Sequence, residues 1–342
     1  MKALVLERYL SLAYKEVPRP VIGPEEVLIR VKACAICGSD VHGYDGSTGR
    51  RLPEVIMGHE AAGVIEEAGA GVIGYAAGDR VAFDSTVYCG RCWFCTCGRF
   101  NLCDNRRVLG VHCADYKRDG AMADYAAVPG HILYKLPDAV TFEQAAMVEP
   151  LSVALHAVKN ASIVLNDTAV VYGAGTIGLL IIQALKLSGC RVIAVDLDQG
   201  KLDMALALGA DYVLLSDGDV QGRILALTER RGCDLAFDAV GIHQTFNNAI
   251  SSVRKGGQVI MVGNLSAKVD FNLQNAVVRE LRLQGTCASA GEYETCLDLI
   301  GRGRINVDAL ISATAPMAEG AKWFDALRAG QAGLTKVVLV NE

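Results

Sequence analysis

The stretch that most constrains this chain is Val170-Val171-Tyr172-Gly173-Ala174-Gly175-Thr176-Ile177-Gly178-Leu179-Leu180. It sets G-x-G-x-x-G between an apolar strand, 169–172, and an apolar helix, 176–188. A second strand, 191–196, ends on Asp196, about 20 residues past the glycines, the spacing of a dinucleotide fingerprint. Each glycine has a physical task. Gly173 permits the tight turn, Gly175 leaves room for a pyrophosphate, and Gly178 lets the helix approach the strand. The free backbone N–H groups at the helix start, from Thr176, suit phosphate oxygens. Asp196 can accept hydrogen bonds from ribose hydroxyls and would repel a 2′-phosphate. Leu197 and Asp198 offer no arginine in its place. The cofactor expected is therefore NAD and not NADP. After this unit the strand–helix alternation continues, with a helix at 201–208 and strands at 212–215, 235–240 and 259–262. Such alternation predicts a parallel sheet covered on both faces, an α/β fold.

A second feature is Cys89-Gly90-Arg91-Cys92-Trp93-Phe94-Cys95, continued to Cys103, a C-x2-C-x2-C-x7-C spacing. Four thiolates close a tetrahedral zinc site with no open position, which suits a structural role. A loop this small has little core of its own, so the metal would supply its folding energy. Cys97 lies inside the loop and is left free by the spacing. Five of the chain's 12 cysteines fall in this segment. In a long chain that clustering points to metal chemistry and not to a disulfide scaffold.

At 342 residues the chain is too long for one ordinary core and fits two domains. The first half reads as short strands (27–31, 63–66, 80–83) joined by long loops that hold most of the Cys and His. The pattern turns helical over 141–159, broken by Pro150. A last helix at 293–300 and a strand at 336–340 fit either domain by pattern alone. Hydrophobic residues make up 51% and charged residues 21%, the balance of a globular enzyme. A formal net charge of −5 argues against a nucleic-acid or anionic-membrane partner. No apolar run approaches membrane-spanning length, and the N-terminus lacks the long apolar region and cleavage site of a signal peptide. The cytoplasm is the expected location.

A further group of possible ligands precedes the cysteine loop: Cys37-Gly38-Ser39-Asp40-Val41-His42 and Gly58-His59-Glu60. A thiolate, an imidazole and a carboxylate can hold zinc and leave one position for substrate. With Gly58-His59-Glu60-Ala61-Ala62-Gly63, Gly78-Asp79-Arg80-Val81, Val148-Glu149-Pro150-Leu151, the cysteine loop and the glycine fingerprint, these residues carry a resemblance over essentially the whole chain. The sequence resembles the zinc-dependent medium-chain dehydrogenases, in the sorbitol, galactitol-phosphate and butanediol dehydrogenase branch.

The resemblance implies a GroES-like β-rich catalytic domain (1–150 and 291–342) and a Rossmann NAD-binding domain (151–290), with the active cleft between them. It implies two zinc ions per chain. Cys37 and His59 match two ligands of the catalytic zinc, and either Glu60 or Glu149 matches the third. Asp40 matches the group that orients the histidine ligand. Ile177 and Lys201 match positions around the cofactor, and Val262, Gly263 and Asn264 match the strand end that lines the nicotinamide pocket. The expected reaction is oxidation of a secondary alcohol, a small polyol or diol. The metal polarises the hydroxyl, hydride passes to NAD, Ser39 takes the proton and His42 passes it to solvent. A homodimer or homotetramer is expected. Two rivals are a threonine-type amino-alcohol dehydrogenase, which tends to carry aspartate at position 149, and a silent NAD- and zinc-binding protein. The stretch Cys287-Ala288-Ser289-Ala290 lacks the Arg-Tyr pair of sorbitol enzymes, which argues against sorbitol itself. Arg302 and Arg304 read as solvated residues at a helix end and not as a phosphate site.

Overall fold

Small and β-branched residues dominate the strands of the first unit, and they suit a pleated, half-buried surface. The computed structural model describes residues 1–341. The first unit comprises Met1–Glu149 and the chain from Tyr293 onward, and the second is Pro150–Glu292. The main sheet of the first unit has seven strands. Its path runs Leu133–Lys135, Arg80–Phe83, Glu60–Ala68, Glu26–Ala35, Lys336–Val340 and Ile311–Pro316, and Tyr125–Pro129 also pairs with Glu26–Ala35. Val27, Ile29, Val31, Ile65, Val81, Phe83 and Leu339 meet in one fully buried cluster on this sheet. The N-terminal residues, which show only a short apolar stretch in sequence, form the strand Lys2–Arg8 of a three-stranded sheet.

The strand order places the later site residues. Ala35, at the end of Glu26–Ala35, pairs with Glu60 on one side and Val338 on the other. The first residue of Glu60–Ala68 and the start of Lys336–Val340 thus flank one strand end, although they lie far apart in the chain.

The helical stretch near residue 141 breaks earlier than its proline suggests. The helix Phe142–Ala146 begins on a capping box in which Thr141 accepts from Gln144 N and Gln144 returns a contact to Thr141 N. A second helix, Val148–Lys159, starts after Met147. Pro150 therefore lies in a first turn, where its missing N–H costs nothing, and the break falls at Met147 instead.

The second unit holds a six-stranded, all-parallel sheet. Its order is Tyr212–Leu215, Arg191–Asp196, Thr168–Tyr172, Cys233–Asp238, Val253–Met261, Arg282–Gly285. In chain order this is 3-2-1-4-5-6, the doubly wound Rossmann arrangement. The central strands Thr168–Tyr172 and Cys233–Asp238 are buried at every position. This is what a parallel sheet covered on both faces requires. The strand expected at 235–240 runs instead over Cys233–Asp238. Asp238 ends it, because its Oδ1 accepts from both Val240 N and Gly241 N at 3.0 Å and turns the chain. Among the described residues, no helix is long and apolar enough to cross a membrane.

Candidate active site

In the second unit the fingerprint glycines sit where the central strand gives way to the helix Thr176–Leu187. Gly173 has φ +93°, a conformation that glycine reaches without strain. A Cβ on Gly178 would overlap the Gly173 carbonyl, so the helix start and the turn touch through glycine alone. At Gly175 a Cβ would meet no atom within 4 Å, so the space over this turn is open to a ligand. Asp196 ends the neighbouring strand. Its Oδ2 accepts from Ala174 N at 2.6 Å and its Oδ1 from Asp198 N at 3.0 Å, which fixes the carboxylate beside the turn. Asp198 in turn caps the helix that carries Lys201. Val262 N and Gly263 N both donate to Asp238 O, at 3.0 and 2.9 Å, and Asn264 beyond them is exposed. These loops cluster at the carboxyl ends of the parallel strands, where doubly wound sheets bind ligands.

In the first unit, Cys37 is the N-cap of the helix Gly38–Tyr44, and His59 directly precedes the strand Glu60–Ala68. One donor atom from each of Cys37, His59 and Glu60 lies within 4.8 Å of the others. Asp40 stands behind them, fully buried. Its Oδ2 accepts from Cys37 N at 3.3 Å, and its Oδ1 lies 3.2 Å from His59 Nδ1 and 3.0 Å from an Arg51 nitrogen. The His59 approach meets the distance of a hydrogen bond but not its alignment. Burial pushes the Asp40 carboxyl up, but His59 and then Arg51 outweigh it and hold it well below the usual carboxylate range. With Asp40 on its Nδ1 side, the imidazole would offer a metal its Nε2, the arrangement that fixes tautomer and ring orientation in such sites.

The two candidate third ligands differ in surroundings. Glu60 is buried and takes the Lys336 ammonium on both oxygens, at 2.7 and 3.0 Å, and Lys336 also donates to Ile36 O at 3.2 Å. Glu149 is not in the compact donor set; its Oε1 accepts from Ser85 Oγ at 2.8 Å, and burial raises its carboxyl. Ser39 is exposed, and its Oγ lies 3.4 Å from Cys37 Sγ. His42 is half-buried one turn further along the same helix.

The four sulfurs of Cys89, Cys92, Cys95 and Cys103 lie within 4.8 Å of one another. Cys97 is exposed and outside that set. The expected loop is partly helical, with Trp93–Thr96 and the 3-10 turn Phe100–Leu102 between the cysteines. Backbone N–H groups of Arg91 and Cys92 lower the Cys89 thiol to about 6, whereas burial and its neighbours push Cys95 up to about 12. Four sulfurs this close are the donor set of a closed tetrahedral zinc site, and as thiolates they would hold zinc in a structural role. Tyr88 anchors the loop, stacked on Phe100 at 4.5 Å and edge-on to His131 at 4.7 Å.

Sequence reasoning singled out neither Arg51, Ser85 nor Lys336. Lys336 left one signal, a lysine heading the otherwise apolar strand Lys336–Val340, where a buried charge demands a partner. Arg51 and Ser85 belong to no motif and became visible only through their contacts.

The comparisons agree along the chain. Residues 23–138 match the alcohol dehydrogenase GroES-like domain, and residues 176–302 match the zinc-binding dehydrogenase family. A sorbitol dehydrogenase from Halalkalibacterium halodurans is 34% identical over 340 residues, covering 97% of each chain. An alcohol dehydrogenase from Escherichia coli, solved in complex with NADH, superposes with TM-score 0.92 at 31% identity, over 100% of this chain and 99% of that one. The 2R,3R-butanediol dehydrogenase of Bacillus subtilis gives TM-score 0.89 at 28% identity, again over 100% and 99%. With a GroES-like domain, a Rossmann domain and relatives of this coverage, the chain belongs to the zinc-dependent medium-chain dehydrogenases, in their polyol dehydrogenase branch.

Proposed function

We propose that the protein oxidises a secondary alcohol, a small polyol or diol, to a ketone, with NAD as the hydride acceptor. The observation that carries this reading is the compact Cys37, His59 and Glu60 donor set, backed by buried Asp40. A soft thiolate, an imidazole and one carboxylate fit zinc and leave a coordination position over. Zinc held there supplies Lewis acidity toward an alcohol oxygen. The first unit is assigned the catalytic role and the second the cofactor. The open space over Gly175 and the carboxylate of Asp196 support binding of NAD there. The redox chemistry itself belongs to the cofactor.

The chain's own residues orient and move the proton. Asp40 and the cap position hold His59 and Cys37 in register. Glu60 is the third ligand by proximity, with Lys336 balancing its charge, and Glu149 lies beyond it on Ser85. Ser39 Oγ, which donates to Cys37 Sγ at 3.4 Å, relays the proton, and His42, three residues on along the same helix face, hands it to water. Zinc retention in Glu60→Gln against Glu149→Gln, and the pH profile of Ser39→Ala, check these roles. Greater zinc loss in Glu149→Gln, or an unaltered Ser39→Ala profile, would reverse them.

The direct test follows NADH absorbance over small polyols, their phosphates and vicinal diols. We expect turnover of secondary alcohols with NAD favoured over NADP. Inert protein across the whole panel, or a preference for NADP, would overturn the reading. The family relatives support a small-molecule substrate. Clustered metal-ligating thiols suit a reducing compartment, which supports a cytoplasmic location. A homodimer or homotetramer belongs to the same reading and is checked by light scattering; a monomer would remove it.

A further inference from the structure

We propose that Arg51 is a positioning residue of the Cys37–His59 metal site, acting through Asp40. The inference rests on the metal-site reading above and concerns a residue that no motif marks.

Arginine is seldom fully buried without a partner, because desolvating a guanidinium is costly. Arg51 is nevertheless only 4% exposed. One of its terminal nitrogens donates to Asp40 Oδ1 at 3.0 Å and the other to Arg50 O at 3.3 Å, while Nε meets no hydrogen-bond partner. The oxygen it holds is the one that faces His59 Nδ1 at 3.2 Å, and the carboxylate's second oxygen holds Cys37 N. Asp40 is therefore gripped from three directions, two of them belonging to residues of the proposed metal site. The guanidinium is the third. It fixes the plane of the carboxylate and keeps Oδ1 pointed at the imidazole.

The surroundings are shaped to admit it. Gly43 lies within the helix Gly38–Tyr44, a position where glycine costs about 1 kcal/mol relative to alanine. A Cβ there would overlap the Arg51 side chain at Cγ. The helix that begins on Cys37 thus carries a gap through which the Arg51 stem passes to reach Asp40. The chain on the other side is held as well. Leu52 N donates to His112 O at 2.8 Å, and His112 Nδ1 lies 2.8 Å from Leu52 O. The guanidinium is delivered from a fixed strand-like segment and not from a free loop.

Asp40 is the partner one step beyond the ligands, where such groups are worth about 10–100-fold in metal affinity, and Arg51 acts through it. The test uses the full-length zinc-loaded protein and measures competition for its zinc by a chelator in Arg51→Gln and Gly43→Ala. Gly43→Ala leaves Arg51 and Asp40 chemically intact but displaces the stem. We expect the zinc lost in Cys37→Ala to bind about 10–100-fold more weakly in both variants. The visible spectrum of cobalt substituted at this site should change, with the four-cysteine zinc and NADH binding retained. Wild-type affinity and an unchanged cobalt spectrum in Arg51→Gln would overturn the proposal. Should Arg51→Gln not fold, Gly43→Ala decides by the same readings. A wild-type protein holding a single zinc that Cys37→Ala does not remove would sink the metal-site reading instead.

Discussion

Cys37→Ala is expected to abolish alcohol oxidation while leaving NADH binding intact. Cys37 is the thiolate of the proposed metal site and the cap of the helix Gly38–Tyr44. Its loss removes a soft ligand and leaves an imidazole and a carboxylate that already faces Lys336. A partner beyond the ligands costs about 10–100-fold, so a ligand itself should cost more than about 100-fold in turnover. The backbone half of the helix cap survives the substitution, since Cys37 N donates to Asp40 Oδ2. Metal analysis should show one zinc equivalent lost, and NADH fluorescence titration should match the wild type, because the fingerprint lies in the other unit. Turnover close to wild type in this variant would reject a metal-dependent reaction at this site.

The second large effect is on stability and not on chemistry. Cys89→Ser should lose one zinc equivalent, lower the melting temperature and expose the segment 89–103 to protease. The segment has only two short helical turns and a docking stack on Tyr88, with Asn101 and Cys103 as its buried residues. Without zinc, that stack and those two buried residues offset only a small part of the cost of ordering it. Structural zinc sites yield roughly 10–16 kcal/mol in small domains. Part of that is spent ordering the loop, and an expected loss of several kcal/mol is a modest share of it. The zinc bound by Cys37 should stay, which separates the two metal sites in one measurement. Unchanged zinc content and melting temperature would show that these four thiols hold no metal.

Much of the fold is legible in the chain because its signals are local. Strand, turn and helix at the fingerprint follow from apolar runs and glycines within about 20 residues. The strands Arg191–Asp196, Tyr212–Leu215 and Lys336–Val340 fall where the apolar pattern puts them. Boundaries drift where a side chain intervenes, as Asp238 does when its carboxylate ends a strand two residues early. Pro150 misleads for a related reason. A proline's effect depends on its position within a helix, and the helix start is set by Met147 and the cap before it.

The grouping of the four cysteines and the glycine turn were determined by sequence alone, since the cysteines lie within 15 residues (89–103) and the glycines within six (173–178), so the local backbone brings each set together. That Glu60 and not Glu149 falls within the donor set of Cys37 and His59 is visible only in three dimensions. Glu60 and Lys336 are 276 residues apart and meet because their strands flank the same strand end in one sheet. Arg51 reaches Asp40 only through the gap at Gly43. Sheet register and side-chain packing are long-range outcomes, so the charges that tune the site became visible only when the strands were paired.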